Sequence, residues 1–259
     1  FIFIKGNFAI MFFIGSTIGF FISLFILIKF FWGYIKNDFK VSIKETLRIN
    51  KEIRPYQIVA LLGWIGGYGN VFIIKIFLED LSVAKYTFLY TLGGIMLLAA
   101  NSLNQVWSPY FYRISKTMKH SFIENTSYSY YTLLAFILSA IACVIVLLYK
   151  PLLMFFGGNL NIYSNYVLEL ALVFSSFIIY TPVWHCRNHL YLKTDGVDVL
   201  RLTIFSNFLG LIIMILLIYF FKDIGIYLGL TALSLIQVIF FCHYAKKSFN
   251  SLFAFKSII

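Results

Sequence analysis

Charge is scarce in this chain. Ten acidic and 21 basic residues among 259 give a charged share of 12%, against about a quarter in ordinary soluble domains. A soluble domain of this length could not hide the apolar surface that remains, so the soluble classes are excluded. Cysteine is rare as well. Cys143, Cys186 and Cys242 lie in or near apolar stretches without paired spacing, which excludes a disulfide framework or a cysteine metal cluster. No Gly-rich loop ends in Gly-Lys-Ser/Thr, which excludes a built-in ATPase, and no other enzyme motif is present. The apolar runs do not alternate at period two, which argues against a membrane β-barrel.

What is present is oil. The chain is 61% hydrophobic, with a mean hydropathy of +0.88. A helical crossing of a bilayer takes ~20 apolar residues, and a backbone in hydrocarbon must satisfy its own hydrogen bonds, which favours helices. About seven stretches meet that demand: residues 7–28, 55–78, 84–106, 127–149, 161–185, 199–221 and 224–245. Pro55 suits the first turn of the second stretch. The third stops before Ser108-Pro109, the fourth at Lys150-Pro151, and Pro182 falls near the end of the fifth. The expected fold is an all-α, polytopic membrane helix bundle.

The cations follow a rule. Lys36, Lys40, Lys44, Arg48, Lys51 and Arg54 crowd the first gap. Arg113, Lys116 and Lys119 follow the third stretch. Arg187, Lys193 and Arg201 surround the end of the fifth, and Lys246, Lys247 and Lys256 lie in the tail. The intervening gaps are poor in cations. Positive residues stay in the cytoplasm, so the N-terminus is expected outside and the C-terminus inside, in a cell inner membrane. The same rule accounts for the net charge of +11 without nucleic acid. An outward N-terminus with no signal pattern, in a chain that begins at Phe1, gives the expectation of a fragment that lacks upstream helices, or of a reading frame opened late. Residues 1–31 then hold the last helix of a missing lobe. Residues 32–54 form a cytoplasmic amphipathic linker, with Phe39, Ile43, Leu47 and Ile49 or Ile53 at helical intervals; a plain solvated linker is the alternative. Residues 55–246 form a six-helix lobe and 247–259 a cytoplasmic tail.

Several local patterns resemble a known family. Gly63-Trp64-Ile65, Asn70-Val71-Phe72-Ile73-Ile74, Phe77-Leu78 and Val83-Ala84-Lys85-Tyr86 look like the start of the C-terminal lobe of O-antigen and capsular polysaccharide flippases, within the multidrug/oligosaccharidyl-lipid/polysaccharide superfamily. Asn104-Gln105-Val106-Trp107-Ser108-Pro109-Tyr110-Phe111-Tyr112 resembles a more specific motif of that family. Lys193-Thr194, Asn207, Asp223-Ile224-Gly225-Ile226, Gly229 and Thr231-Ala232 resemble its last two helices. The resemblance covers roughly residues 51–247. It implies two helical lobes, of which this chain would hold the C-terminal one. It also implies a polyprenyl-pyrophosphate-linked oligosaccharide as cargo, membrane lipids as surroundings, polysaccharide assembly enzymes as partners, and no cofactor beyond ion-gradient coupling. Many relatives carry Asp where Asn70 stands and a small residue where Lys75 stands, which puts an ion-binding role for that helix in doubt.

Candidate cavity residues are the polar groups placed in spans. Glu169 is the one acid inside an expected span; it either couples an ion to transport or forms a local ion pair near the outer surface. Lys75 either snorkels to the interface or lines a cavity and attracts a pyrophosphate, with Glu169 as its partner. Asn101, Asn104 and Gln105 form a stripe with Gly94 on one helix face, suited to a sugar or to helix–helix hydrogen bonds. Asn70, Asn207 and Gln237 carry the same two readings. Arg113 at the cytoplasmic mouth either catches a phosphate or anchors topology. His185 and His189 stand four apart, but no Glu follows the first and metal binding is disfavoured. The pairs Gly63/Gly67 and Gly225/Gly229 offer close helix approach.

The function expected is flipping of lipid-linked oligosaccharide across a bacterial cytoplasmic membrane by alternating access, without enzymatic chemistry. A drug or cation exporter of the same superfamily would want an acidic cavity, and only Glu169 supplies one. A polysaccharide polymerase would want a large external loop or an acidic cluster, and neither is present.

Overall fold

The computed structural model describes residues 18, 21–26, 28–29, 43–156, 163–193 and 196–248. Among them every regular element is helical. Their order is α1 (Ile43–Tyr68), α2 (Asn70–Phe77), α3 (Asp80–Thr117), α4 (His120–Phe156), α5 (Val167–Ile179), α6 (Thr181–Lys193) and α7 (Val197–Ser248). The chain divides into two units, Phe1–Ile53 and Arg54–Ile259. In the first, residues 18, 21–26 and 28–29 are helical and exposed; the remainder of the first expected span and residues 31–42 lie outside the described residues. Arg48 and Glu52, one turn apart on α1, approach to 3.9 Å.

Among the described residues, four helical stretches are long and apolar enough to cross a membrane: Asp80–Thr117, Ser121–Phe155, Val167–Leu192 and Val197–Ala245. The last holds two spans' worth of residues and is not one rod. At Lys222 the backbone leaves the helix, with φ 53° and ψ −130°, and the chain turns back on itself. A Cβ added at Gly225 would strike the Leu217 carbonyl oxygen, and one at Gly229 would lie 3.1 Å from the Met214 Cα. Farther along, Gly210 faces Leu233 and Gln237 bonds Asn207. These pairs step in opposite directions along the two limbs, 197–221 and 223–248, which defines an antiparallel hairpin. Its limbs match the expected spans 199–221 and 224–245. Gly225 and Gly229 act as small residues that let two backbones close, whereas Gly63 faces open space.

Three helix ends differ from expectation, and proline is the reason in each case. α1 does not begin at Pro55, α3 does not stop before Pro109, and α4 does not end at Pro151; each proline sits inside its helix. Proline fixes φ at a helical value and removes one hydrogen bond. Near a bilayer surface, water can serve the freed carbonyl, so the helix continues. α3 has 38 residues and is about 57 Å long at 1.5 Å per residue, well beyond the ~30 Å of hydrocarbon. The expected loop carrying Arg113 and Lys116 is therefore helix, and only Met118 and Lys119 separate α3 from α4. The fifth expected span also divides: α5 ends at Ile179, Tyr180 forms a turn, and α6 resumes at Thr181 beside Pro182.

α5 and α6 pack on the α7 hairpin, α3 packs on α4 and α5, and α2 packs on α3 and α7. One apolar cluster centred on Leu89, Met96, Leu134, Leu138, Val173 and Met214 joins α3, α4, α5 and α7. A second, with Val59, Val183, Leu190 and Phe241, joins α1, α6 and α7. The outer surface is oilier than water tolerates. Phe136 and Leu147 on α4 are 72% and 76% exposed, and Phe205, Phe208, Ile212 and Leu216 follow one another along α7. Contiguous apolar surface on that scale belongs in lipid.

The hairpin gives a test. Gly225→Ala should destabilise the folded chain by about 1–3 kcal/mol through overpacking. Lys222→Gly should stabilise it by ~1 kcal/mol, because glycine carries no Cβ into the left-handed region. Unfolding of the detergent-solubilised protein by titrated dodecyl sulfate reads both signs.

Candidate functional site

Hydrocarbon makes every polar side chain between helices a question of partners. The described bundle contains four polar groupings. The largest lies where α3, α4 and α6 meet. Asn104 of α3 turns inward, and its Oδ1 accepts from the hydroxyls of Tyr130 (3.5 Å) and Tyr131 (3.4 Å) on α4. Asn188 Nδ2 of α6 donates to the Tyr131 hydroxyl at 2.8 Å. The Trp107 indole stacks flat on Tyr130, centroids 4.2 Å apart and planes within 5°. Phe111 meets His189 edge-on at 4.9 Å, His189 meets His185 at 4.6 Å, and His185 meets Tyr131 at 5.2 Å. The sequence placed Asn104 and Trp107 here. It did not reveal Tyr130 and Tyr131, although the run Ser127-Tyr128-Ser129-Tyr130-Tyr131-Thr132 is the most polar in its span.

The second grouping is the outward face of α3. Thr87, Thr91, Asn101 and Gln105 are exposed there, and Gly94, lying between them, meets nothing. The stripe read from sequence thus divides: Asn104 points into the bundle, and Asn101 and Gln105 point out of it. The two threonines satisfy themselves by donating to the Val83 and Thr87 carbonyls at 2.8 and 2.7 Å. No such bond serves the amides of Asn101 and Gln105 among the described residues.

The third grouping closes the opposite end of α3. Asp223, just past the hairpin turn, accepts from Ser82 Oγ at 2.6 Å and pairs with Lys85 Nζ at 3.2 Å. The Lys85 ammonium lies 4.7 Å from the Tyr166 ring centroid. An open pocket of about 510 Å³ borders this junction, with Lys222 and Glu79 on its rim. The junction was not visible in sequence, because Ser82 and Asp223 are 141 residues apart and each reads singly as a loop residue.

The fourth grouping surrounds the break at Gly69. A helix end leaves carbonyls without partners. Here Asn70 Nδ2 donates to the Gly66 carbonyl at 2.6 Å and the Tyr86 hydroxyl to that of Gly67 at 2.7 Å. Asn70 is fully buried, so this side chain caps the broken helix. Nearby, Asn207 and Gln237 bond each other at 2.8 Å across the hairpin.

The remaining expected residues stand apart from these groupings or at their margins. Lys75 is exposed and pairs with Asp80 rather than with Glu169. The turn after α2 brings its ammonium to that carboxylate, five residues on. Glu169 is half-buried in the first turn of α5, where a carboxylate complements the helix dipole. Arg113 is exposed with its guanidinium 5.5 Å from the Tyr110 ring centroid. His185 and His189 share a face, and no group of three or more His, Cys, Asp or Glu among the described residues could hold a metal ion. The chain matches no family model, no curated protein and no solved structure.

The junction of Lys85 and Asp223 gives a prediction. Asp223→Asn should lower stability by on the order of 1 kcal/mol, because it strands a largely covered cation. Adding Lys85→Gln should recover part of that loss. A double-mutant cycle on dodecyl sulfate unfolding measures the coupling.

Proposed function

We propose that this chain is the C-terminal lobe of a membrane transporter. It moves a lipid-linked oligosaccharide, of the kind used for O-antigen, capsule or exopolysaccharide, from the inner to the outer leaflet of a bacterial cytoplasmic membrane. The observation that carries this reading is the outward face of α3. An unpaired amide in hydrocarbon costs about 4–8 kcal/mol. Asn101 and Gln105 expose two on a helix whose other outward residues include Leu98, at 70% exposure. Such a face wants water, a polar ligand or a polar partner helix, and sugar hydroxyls complement amides in both directions. The same helix bears the stretch Asn104–Tyr112 that resembles the polysaccharide flippases.

In this reading the face of α3 lines one wall of a hydrophilic cavity between two lobes. The sugar passes along the amides while its polyprenyl tail stays among the lipids. The exposed Phe and Leu of α4 and α7 are the lipid-facing side. Arg113 sits toward one end of the path and offsets part of the charge of the pyrophosphate; Lys75, toward the other, does so only by leaving Asp80. Glu169, off the exposed face of α3, leaves no acid on that wall, which favours an anionic cargo over a cationic drug.

Two measurements test the proposal. Asn101→Leu with Gln105→Leu should cut the surface polysaccharide of an expressing strain at least about tenfold, as expected for loss of two polar contacts, and accumulate lipid-linked repeat units on the inner leaflet, while protein in the membrane fraction stays constant. Unchanged export would reject the cavity wall. The orientation is tested by an Arg113→Cys variant, which should resist an impermeant maleimide in intact cells and react after permeabilisation.

A further inference from the structure

His185 and His189 remain unexplained by packing alone. Both are buried, at 7% and 2% exposure, in α6, the polar end of the helical stretch Val167–Leu192. Histidine is the side chain that exchanges a proton nearest physiological pH, and a buried polar group calls for a partner. Their rings touch at 4.6 Å and an interplanar angle of 74°. The Nδ1 of His185 is buried and has no hydrogen-bond partner. A buried imidazole nitrogen without a partner is costly, and a purely structural site would be served better by Phe or Leu.

The surroundings define what this nitrogen can take up. On α4 the facing titratable groups are Tyr131, 5.2 Å from His185 by centroid, and Tyr130 edge-on to it. On α3 they are Tyr112, packed on Phe111, which itself meets His189. On α6 itself Arg187 is the nearest cation. Its guanidinium lies over the rings of Tyr180 and Phe241 and reaches Thr203 of α7 at 3.4 Å, on the other side of the helix. Cys186 Sγ meets Cys242 Sγ of the second α7 limb at 3.7 Å. No carboxylate pairs with His185 among the described residues. There is space and chemistry for one proton, and no counter-charge to hold it in the packed arrangement.

We propose that the His185–His189 pair is a proton-binding site whose occupancy loosens α6 from α3 and α4. Its use as the coupling step of transport rests on the function proposed above; proton binding itself does not. A proton from water adds to Nδ1 of His185 and leaves by the same route, with no covalent change. When bound, it places a cation beside a second imidazole and two residues from Arg187. That charge is best relieved by hydration, which requires α6 to move away from the Tyr131 and Phe111 rings. The Asn188–Tyr131 hydrogen bond is the contact that α6 must give up, and Tyr131 in turn bonds Asn104, so the proton site adjoins the Asn104–Tyr112 stretch of α3.

The experiment uses the full chain in lipid nanodiscs with ring-nitrogen-labelled histidine. As pH falls from about 8 through and below the range in which free imidazoles exchange their proton, the nitrogen shifts of one imidazole should change to those of the cation. Over the same range the exchange of α6 backbone amides, measured by mass spectrometry, should rise several-fold relative to that of α5, a comparison that cancels the intrinsic pH dependence of exchange. H185Q should remove both the titration and the rise, and H189Q should keep a titrating His185. Imidazoles that stay neutral throughout, or α6 amides that exchange no faster relative to α5, would overturn the site. The wild-type titration decides the matter even if a variant misfolds. A failed export assay sinks the transport function and leaves this result standing, and neutral imidazoles do the reverse.

Discussion

Hydrocarbon offers no hydrogen bonds, and the arrangement of this chain depends on that fact. It forces the backbone into helix and carries helices through prolines that would end them in a soluble protein. It also turns each polar side chain into a demand for a partner. The apolar surface that would aggregate in water is the outer surface here, and the interior carries the tyrosines, amides and histidines. What specifies the packing of α3, α4 and α6 is therefore a hydrogen-bonded and aromatic network as much as shape. Asn104, Tyr131 and Asn188 are bonded in series, and loss of the middle hydroxyl would take that bond from Asn188 and leave Asn104 with Tyr130 alone.

The polar groupings divide the work by position. Lys85, Ser82 and Asp223 fasten the start of α3 to the hairpin turn. Asn70 and Tyr86 cap the break after α1. In the first each donor meets an acceptor, whereas in the second Asn70 donates through Nδ2 and its buried Oδ1 has no partner. Asn101 and Gln105 are open, and that contrast sets the outward face of α3 apart as a surface for something else.

Much of the fold was legible in the sequence. The hydrophobic runs gave the helical class, and the two hairpin limbs fall within a few residues of 199–221 and 224–245. Helix ends were less legible, because Pro55, Pro109 and Pro151 read as boundaries by propensity, whereas a helix in or near lipid has no better option than to continue. The candidate site was half legible. Periodicity put Asn101, Asn104 and Gln105 on one face, but a stripe of that width can straddle the line between core and surface, and the line passes between Asn104 and its neighbours. The partners were not legible at all. Nothing local to Lys85 names Asp223, and nothing local to Lys75 favours Asp80 over Glu169 until the turn after α2 is known. His185 and His189 gave their spacing in sequence but not their burial against Tyr131.

The tight turn at Lys222 bears on how the chain is made. A limb of α7 that entered the bilayer by itself would carry Asn207 or Gln237 into oil with an unanswered amide, at a cost comparable to several apolar residues. Joined by a single residue of reversed handedness, the two limbs zip before or during entry and offer each amide the other. The cost of burying either amide is thus shared between the limbs, and the hairpin behaves as one packing unit.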